Sequence, residues 1–221
     1  MLVLAIDSAT SACSAALWQD GTILARRYAE MVRGQSEALV PMIAETLSEA
    51  GRTLSEIDLL AVTVGPGAFT GIRIGLATAR ALALAAGKPL AGIATPDAVA
   101  AAVPPPQRQG RTILAILDSR REEVWVQAFA ADLSPLSEVE PLTPAAIADR
   151  YGHLALVLTG DGAALALPLL PDAVMAECGH APDAACVATL AAIRWAAGTA
   201  LPPEPLYLRA ADVTLPACPS S

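Results

Sequence analysis

Two short stretches hold the residue types that handle phosphate or metal ions. Asp7-Ser8-Ala9-Thr10-Ser11 is a small polar loop directly after an apolar run, Leu2 to Ile6. Such a loop offers backbone N–H groups and hydroxyls to a phosphate, and a carboxylate to a hydrated metal ion. The same residues are also ordinary turn formers. The second stretch, Gly65-Pro66-Gly67-Ala68-Phe69-Thr70-Gly71, lies between an apolar run and a helical pattern. A strand, a glycine-rich loop and a helix N-terminus make a plausible anion site. It lacks the Gly-Lys-Ser/Thr ending of a P-loop, and threonine at 70 breaks G-x-G-x-x-G. Glycines here also serve close packing of helix on sheet.

The helix after this block carries Gly71, Gly75, Ala79 and Ala83, spaced so that they share one face. A stripe of small side chains lets another element approach closely, either within the chain or at a subunit interface. No linear catalytic motif is present: Gly-x-Ser-x-Gly and His-Glu-x-x-His are both absent. The histidines are His153 and His180, and the cysteines are Cys13, Cys178, Cys186 and Cys218, none spaced C-x-x-C. Free, mostly buried thiols and no bound metal are the expectation.

The elements that position these residues follow from apolar periodicity. Strands are expected at Leu2 to Ile6, Cys13 to Trp18 and Thr22 to Tyr28, with Asp20-Gly21 as a hairpin turn. A helix runs from about Gln35 to Ala50, with Leu39, Met42, Ile43, Thr46 and Leu47 on one face. Leu59 to Val64 is a buried strand, and a second helix spans about Thr70 to Ala86. Pro89 to Ala94 is a further strand, and Pro96 opens a short helix. Val103 to Gly110 is rich in proline and reads as a linker. Beyond it, Ile116-Leu117-Asp118-Ser119 matches the pattern of Ala5-Ile6-Asp7-Ser8, which points to two similar halves. The expected division is residues 1–103, a linker at 104–111, a smaller second half at 112–215 and a tail at 216–221.

Composition narrows the class. The chain has 221 residues, 54% of them hydrophobic and 16% charged, which excludes a disordered chain. Its net charge is −8, with no basic patch of the kind that holds nucleic acid unaided. Any contact with RNA would therefore need a partner's phosphate-binding surface. The N-terminus lacks the pattern of a signal peptide. Ala184 to Leu201 contains Arg194 and Gly198 and reads as a buried helix rather than a membrane span. A cytoplasmic protein with reduced thiols is the expectation.

The motifs resemble, in order, the TsaB (YeaZ) family. Leu4-Ala5-Ile6-Asp7-Ser8-Ala9-Thr10 with Cys13 to Trp18 opens the likeness, and Gln35-Ser36-Glu37 with Leu39-Val40-Pro41-Met42-Ile43 continues it. Gly65-Pro66-Gly67-Ala68-Phe69-Thr70-Gly71-Ile72-Arg73-Ile74-Gly75 is the most specific block. Asp118-Ser119-Arg120, Glu123-Val124-Trp125, Gly160-Asp161-Gly162 and Pro205-Leu206-Tyr207-Leu208-Arg209 complete it. Pro135 to Ala200 carries little of the resemblance.

The resemblance implies the α/β fold of actin, Hsp70 and sugar kinases (ASKHA), with a reduced second half. It implies a non-catalytic subunit that pairs with a TsaD-type paralogue. That paralogue transfers a threonylcarbamoyl group to the adenosine beside the anticodon, in tRNAs reading codons that begin with A. A TsaE-type ATPase and tRNA are reached through the complex, and a homodimer is the alternative pairing. The implied partner surface is the two helices, through Leu39, Met42, Ile43, Thr46, Gly71, Ile72, Gly75, Leu76, Ala79 and Ala83. Asp7, Ser8 and Thr10 would be a vestigial phosphate loop, with ATP bound weakly or only within the complex. Where the paralogue has a His-x-x-x-His metal pair, this chain reads Thr95-Pro96-Asp97-Ala98-Val99. Gln35 stands where the family often has histidine. A sugar-kinase-type phosphotransferase and a metallopeptidase are the competing readings, and the missing histidines weigh against the second.

Overall fold

The computed structural model describes residues 1–31, 33–206 and 208. The tail expected at 216–221, the end of the second half, and Tyr207 and Arg209 of the last motif lie outside the described residues.

Strands β1 (Leu2–Asp7), β2 (Ala12–Gln19) and β3 (Thr22–Glu30) form an antiparallel meander. Asp20 and Gly21 both take positive φ at its tip, as an Asp-Gly hairpin turn requires. Helix α1 (Gln35–Glu49) leads to β4 (Leu59–Gly65), which joins β1 in parallel. Helix α2 (Phe69–Ala86) leads to β5 (Leu90–Ala94), parallel to β4. The first sheet thus runs β3-β2-β1-β4-β5.

After α3 (Thr95–Ala102), the proline-rich crossing contains one helical turn, α4 (Pro105–Arg108). The second sheet is then built from β6 (Thr112–Leu117), β7 (Val124–Phe129), β8 (Glu140–Leu142), β9 (Leu156–Thr159) and β10 (Val174–Met175). Its order read from one edge is β8-β7-β6-β9-β10, with the same parallel and antiparallel pairings as the first sheet. The repeat suggested by Asp7-Ser8 and Asp118-Ser119 is therefore a repeat of topology. β8 and β10 are too short to show a period, so the sequence does not announce them.

Alternation along β1 sends residues to two different cores. Leu2, Leu4 and Ile6 face α1 and α2, meeting Leu39, Ile43, Ile72, Leu76, Ala79 and Ala83. Val3 and Ala5 face the other way, onto α7 (Ala184–Ala196), through Ala184, Val187, Ala188, Ala191 and Ala192. The last helix in sequence thus covers the first sheet, and small alanines let it sit close. In the second half, α5 (Pro144–Tyr151) and the single turn α6 (Ala163–Ala166) cover one face. The other face receives Val99 and Ala100 of α3 and Val103 just after it, while Ala98 of the same helix packs with the first half. Helix α3 is the wedge between the halves.

By length and composition alone, α2 would serve as a membrane span. In the fold, one side of it is core.

Candidate functional site

Asp7 ends β1 and is fully buried. Its Oδ1 accepts the Thr63 hydroxyl at 2.5 Å and the Ala9 N–H at 3.1 Å, while Oδ2 has no partner among the described residues. Burial pushes its carboxyl up to about 7, against the lowering by those two hydrogen bonds. Ser8 donates its hydroxyl to the Gly71 carbonyl at 2.8 Å. Thr10 is buried and its hydroxyl is without a partner among the described residues.

The glycine block seals this loop. The Ala68 N–H donates to the Ala9 carbonyl at 2.7 Å. A Cβ on Gly67 would lie 2.2 Å from the Ala9 oxygen, and one on Gly71 only 2.0 Å from the Ser8 oxygen. A Cβ on Gly75 would meet the Ser8 Oγ at 2.9 Å. The glycines are required because the helix N-terminus lies directly on the loop backbone. The hydroxyl of Ser8 and the N–H of Ala9, two donors a phosphate would want, are already used inside the chain.

The second half repeats the arrangement. The Arg120 N–H donates to Asp118 Oδ1 at 2.7 Å, as Ala9 does to Asp7. A Cβ on Gly160 would lie 2.1 Å from the Ile116 oxygen. The Asp118 N–H donates to Asp161 Oδ1 at 3.0 Å. Arg120 also pairs with Asp118, at 3.2 Å, while its side chain stays largely exposed.

Between the halves lies an open cleft of about 490 Å³, lined by Ser11, Glu30, Met31, Gly160, Asp161, Ala164 and His180. Glu30 and Asp161 line it, and the fields of Asp183 and Asp161 reach Asp7. Burial holds the Asp161 carboxyl above its ordinary value, against the lowering by its hydrogen bond from the Asp118 N–H. An acidic cleft of this kind disfavours a polyphosphate that brings no cation with it. Among the described residues, no three His, Cys, Asp or Glu side chains come together to hold a metal. Thr95 and Val99 are both buried in α3. Cys13, Cys178 and Cys186 are free, and burial raises each thiol.

Most of the side chains named for a partner surface are buried inside this chain. Leu39, Ile43, Thr46, Gly71, Ile72, Gly75, Leu76, Ala79 and Ala83 are buried against this chain's own sheet and helices, and Met42 is half-buried. What α1 and α2 present outward is a different set. Its apolar members are Val40, Pro41 and Ala44 on α1 and Phe69, Ala77, Ala81, Leu84 and Ala85 on α2, interspersed with Ser36, Glu37, Glu45, Ser48 and Glu49 and with Thr70, Arg73 and Arg80. Leu84 is 86% exposed, and Val40 and Phe69 are 57% exposed. Arg73 lies over the Phe69 ring, 3.3 Å from its centroid. The two helices pack side by side on one face of the first sheet. Sequence reasoning passed over this set because apolar residues stand on both sides of α2, mixed with Arg73 and Arg80 on the outer one, and the small-residue stripe drew attention to the inner side.

Comparison with known proteins gives a consistent result. The family described as TsaD, tRNA N6-adenosine threonylcarbamoyltransferase, matches residues 24–139, more than half of the chain. The tRNA threonylcarbamoyladenosine biosynthesis protein TsaB of Escherichia coli is 40% identical over 133 residues, 60% of this chain and 56% of that protein. An uncharacterised protein of Mycobacterium tuberculosis is 32% identical over 95% of this chain and 92% of its own length. YeaZ from Pseudomonas aeruginosa superposes with a TM-score of 0.79 at 27% identity, over 94% of this chain and 99% of that one. The activator of 2-hydroxyisocaproyl-CoA dehydratase from Clostridium difficile shares the fold, with a TM-score of 0.54 at 11% identity, over 90% and 97% of the two chains. The two-sheet architecture is that of the ASKHA proteins.

Proposed function

Because the chain belongs to the TsaB (YeaZ) branch of the TsaD family, we propose that it is the non-catalytic partner of a TsaD-type threonylcarbamoyltransferase. In this reading it supports formation of the threonylcarbamoyl group on the adenosine beside the anticodon, in tRNAs reading codons that begin with A. The observation that carries the partner role is the outward apolar surface of α1 and α2, with Leu84 at its most exposed point. Large apolar side chains left exposed on neighbouring helices suit an interaction site. Helices that already bury one face in their own core meet a partner with the other.

The chain itself supplies no catalytic group in this reading. Thr95 and Val99 take the places of the paralogue's histidine pair, and neither is a useful metal ligand. The Asp7 loop is closed on itself by Ser8, Ala9 and Ala68. Nucleotide and tRNA would be held by the assembly, including a TsaE-type ATPase, in the cytoplasm. A net charge of −8 fits a subunit that leaves RNA phosphates to its partners.

The test is reconstitution. The paralogue, the ATPase and unmodified tRNA, supplied with the threonylcarbamoyl donor and ATP, should form the modified adenosine only when this chain is present. The chain alone, given ATP and a panel of sugars, should show no transfer. Phosphate transfer to a sugar by the lone chain would overturn the reading in favour of a kinase.

A further inference from the structure

After α7, which lies on the first sheet, the chain runs along the first half and then reaches the second. Leu201 and Gly92 exchange two backbone hydrogen bonds, at 2.8 and 3.2 Å, across the outer edge of β5. Gly92 is small because the segment lies on it: a Cβ there would be 2.6 Å from the Pro202 oxygen and 3.1 Å from that of Leu201. Arg80 of α2 donates from Nε at 3.1 Å and from Nη2 at 2.5 Å to the Pro203 carbonyl. The Leu206 N–H donates to Val64 at the end of β4, at 2.8 Å. Leu201 and Leu206 pack on the core of the first half, whereas Leu208 packs on that of the second.

We propose that residues 201–206, together with Leu208, are a clasp that fixes the angle between the two halves and so sets the width of the cleft between Glu30 and Asp161. Two other passages join the halves, the proline-rich crossing before β6 and the passage from β10 into α7. Two linked bodies keep a hinge rotation about the line through their connections. A third attachment off that line removes it. Helix α3 fills the gap through the packing of Val99, Ala100 and the following Val103, and through one hydrogen bond, from the Thr159 hydroxyl to the Val99 carbonyl at 3.3 Å. The clasp adds backbone hydrogen bonds at one end and an apolar anchor at the other, and Arg80 ties it to the outward side of α2.

Limited trypsin digestion of the full chain tests this, because Arg108 and Arg111 lie in the crossing that an opening motion would expose. Three variants each break a different attachment: Gly92→Ala, Arg80→Ala and Leu208→Asp. Each should speed cleavage after Arg108 or Arg111, about tenfold for Gly92→Ala, while Arg150 and Arg194 are cut at the original rate. Small-angle scattering should show a larger radius of gyration. Unchanged cleavage in all three variants would overturn the proposal. So would equal acceleration at Arg150 and Arg194, which reports general loss of stability and not opening of the hinge.

Discussion

Asp7 and Asp118 occupy equivalent places at the ends of β1 and β6, the central strands of two sheets with the same strand order. Each carboxylate accepts the N–H of the residue two positions on, Ala9 in one half and Arg120 in the other. Their surroundings then diverge. Asp7 is sealed under the start of α2 beside Thr63, whereas Asp118 is only partly covered and pairs with Arg120. One duplicated turn has become a buried structural carboxyl in the first half and a surface ion pair in the second.

The sealed carboxyl makes stability depend on pH. Asp7 holds its proton up to about 7 in the folded chain, against 3.8 ordinarily. Between those values the folded state binds more protons than the unfolded one, so this contribution falls as pH rises through the window and is level above it. Asp7→Asn, which keeps the size of the neutral acid, should remove that slope. Urea midpoints at pH 5 and pH 8 measure it. The original chain should lose up to roughly 3 kcal/mol more than the variant over this interval. Parallel losses would mean that the carboxyl ionises freely in the fold.

Gly71→Ala should destabilise the chain itself. The new Cβ would sit 2.0 Å from the Ser8 carbonyl, and backbone on one side must give way. Overpacking of this kind costs about 1–3 kcal/mol. For a chain of this size the melting temperature should fall by roughly 3–10 °C. Gly75→Leu should act in the same direction, through Ser8 and Val62. A melting temperature equal to the original would show that α2 can slide away from the loop without cost.

Substitutions on the outward side of α2 should do the reverse. Leu84→Asp and Ala77→Arg alter exposed positions, so thermal stability should stay within about 2 °C. Binding of the TsaD-type partner should weaken by about tenfold or more, which corresponds to about 1.4 kcal/mol. Titration calorimetry or co-purification reads this directly. Wild-type affinity in both variants would place the interface away from α1 and α2.

The isolated chain should bind ATP only weakly. The loop donors at Ser8 and Ala9 are engaged, and Glu30 and Asp161 face the cleft. Calorimetry with magnesium and ATP should detect no submicromolar site. A tight site would require the α2 start to lift off the loop. Gly71→Ala, which pushes the two apart, should then change that affinity.

Most of the local structure was legible in the sequence, because local structure has local causes. Short apolar runs gave the strands of the first half, and Asp20-Gly21 gave the hairpin. The 3.6-residue period gave α1 and α2 to within a residue or so of their ends. The paired Ile-Asp-Ser and Leu-Asp-Ser signatures announced a duplicated half before any strand order was known. Periodicity, however, says which residues share a face and not what that face meets. Gly71, Gly75, Ala79 and Ala83 suit a neighbouring subunit and an intrachain sheet equally well. Only the folded chain brings the Ser8 carbonyl, some sixty residues away in sequence, up against Gly71. The same holds for α7, whose alanines say that something approaches closely but not that it is the first sheet, and for Gly92, which is small because a distant carbonyl lies on it. Long-range contacts follow from how the whole chain closes around its cores, and the pattern of no single segment contains that information.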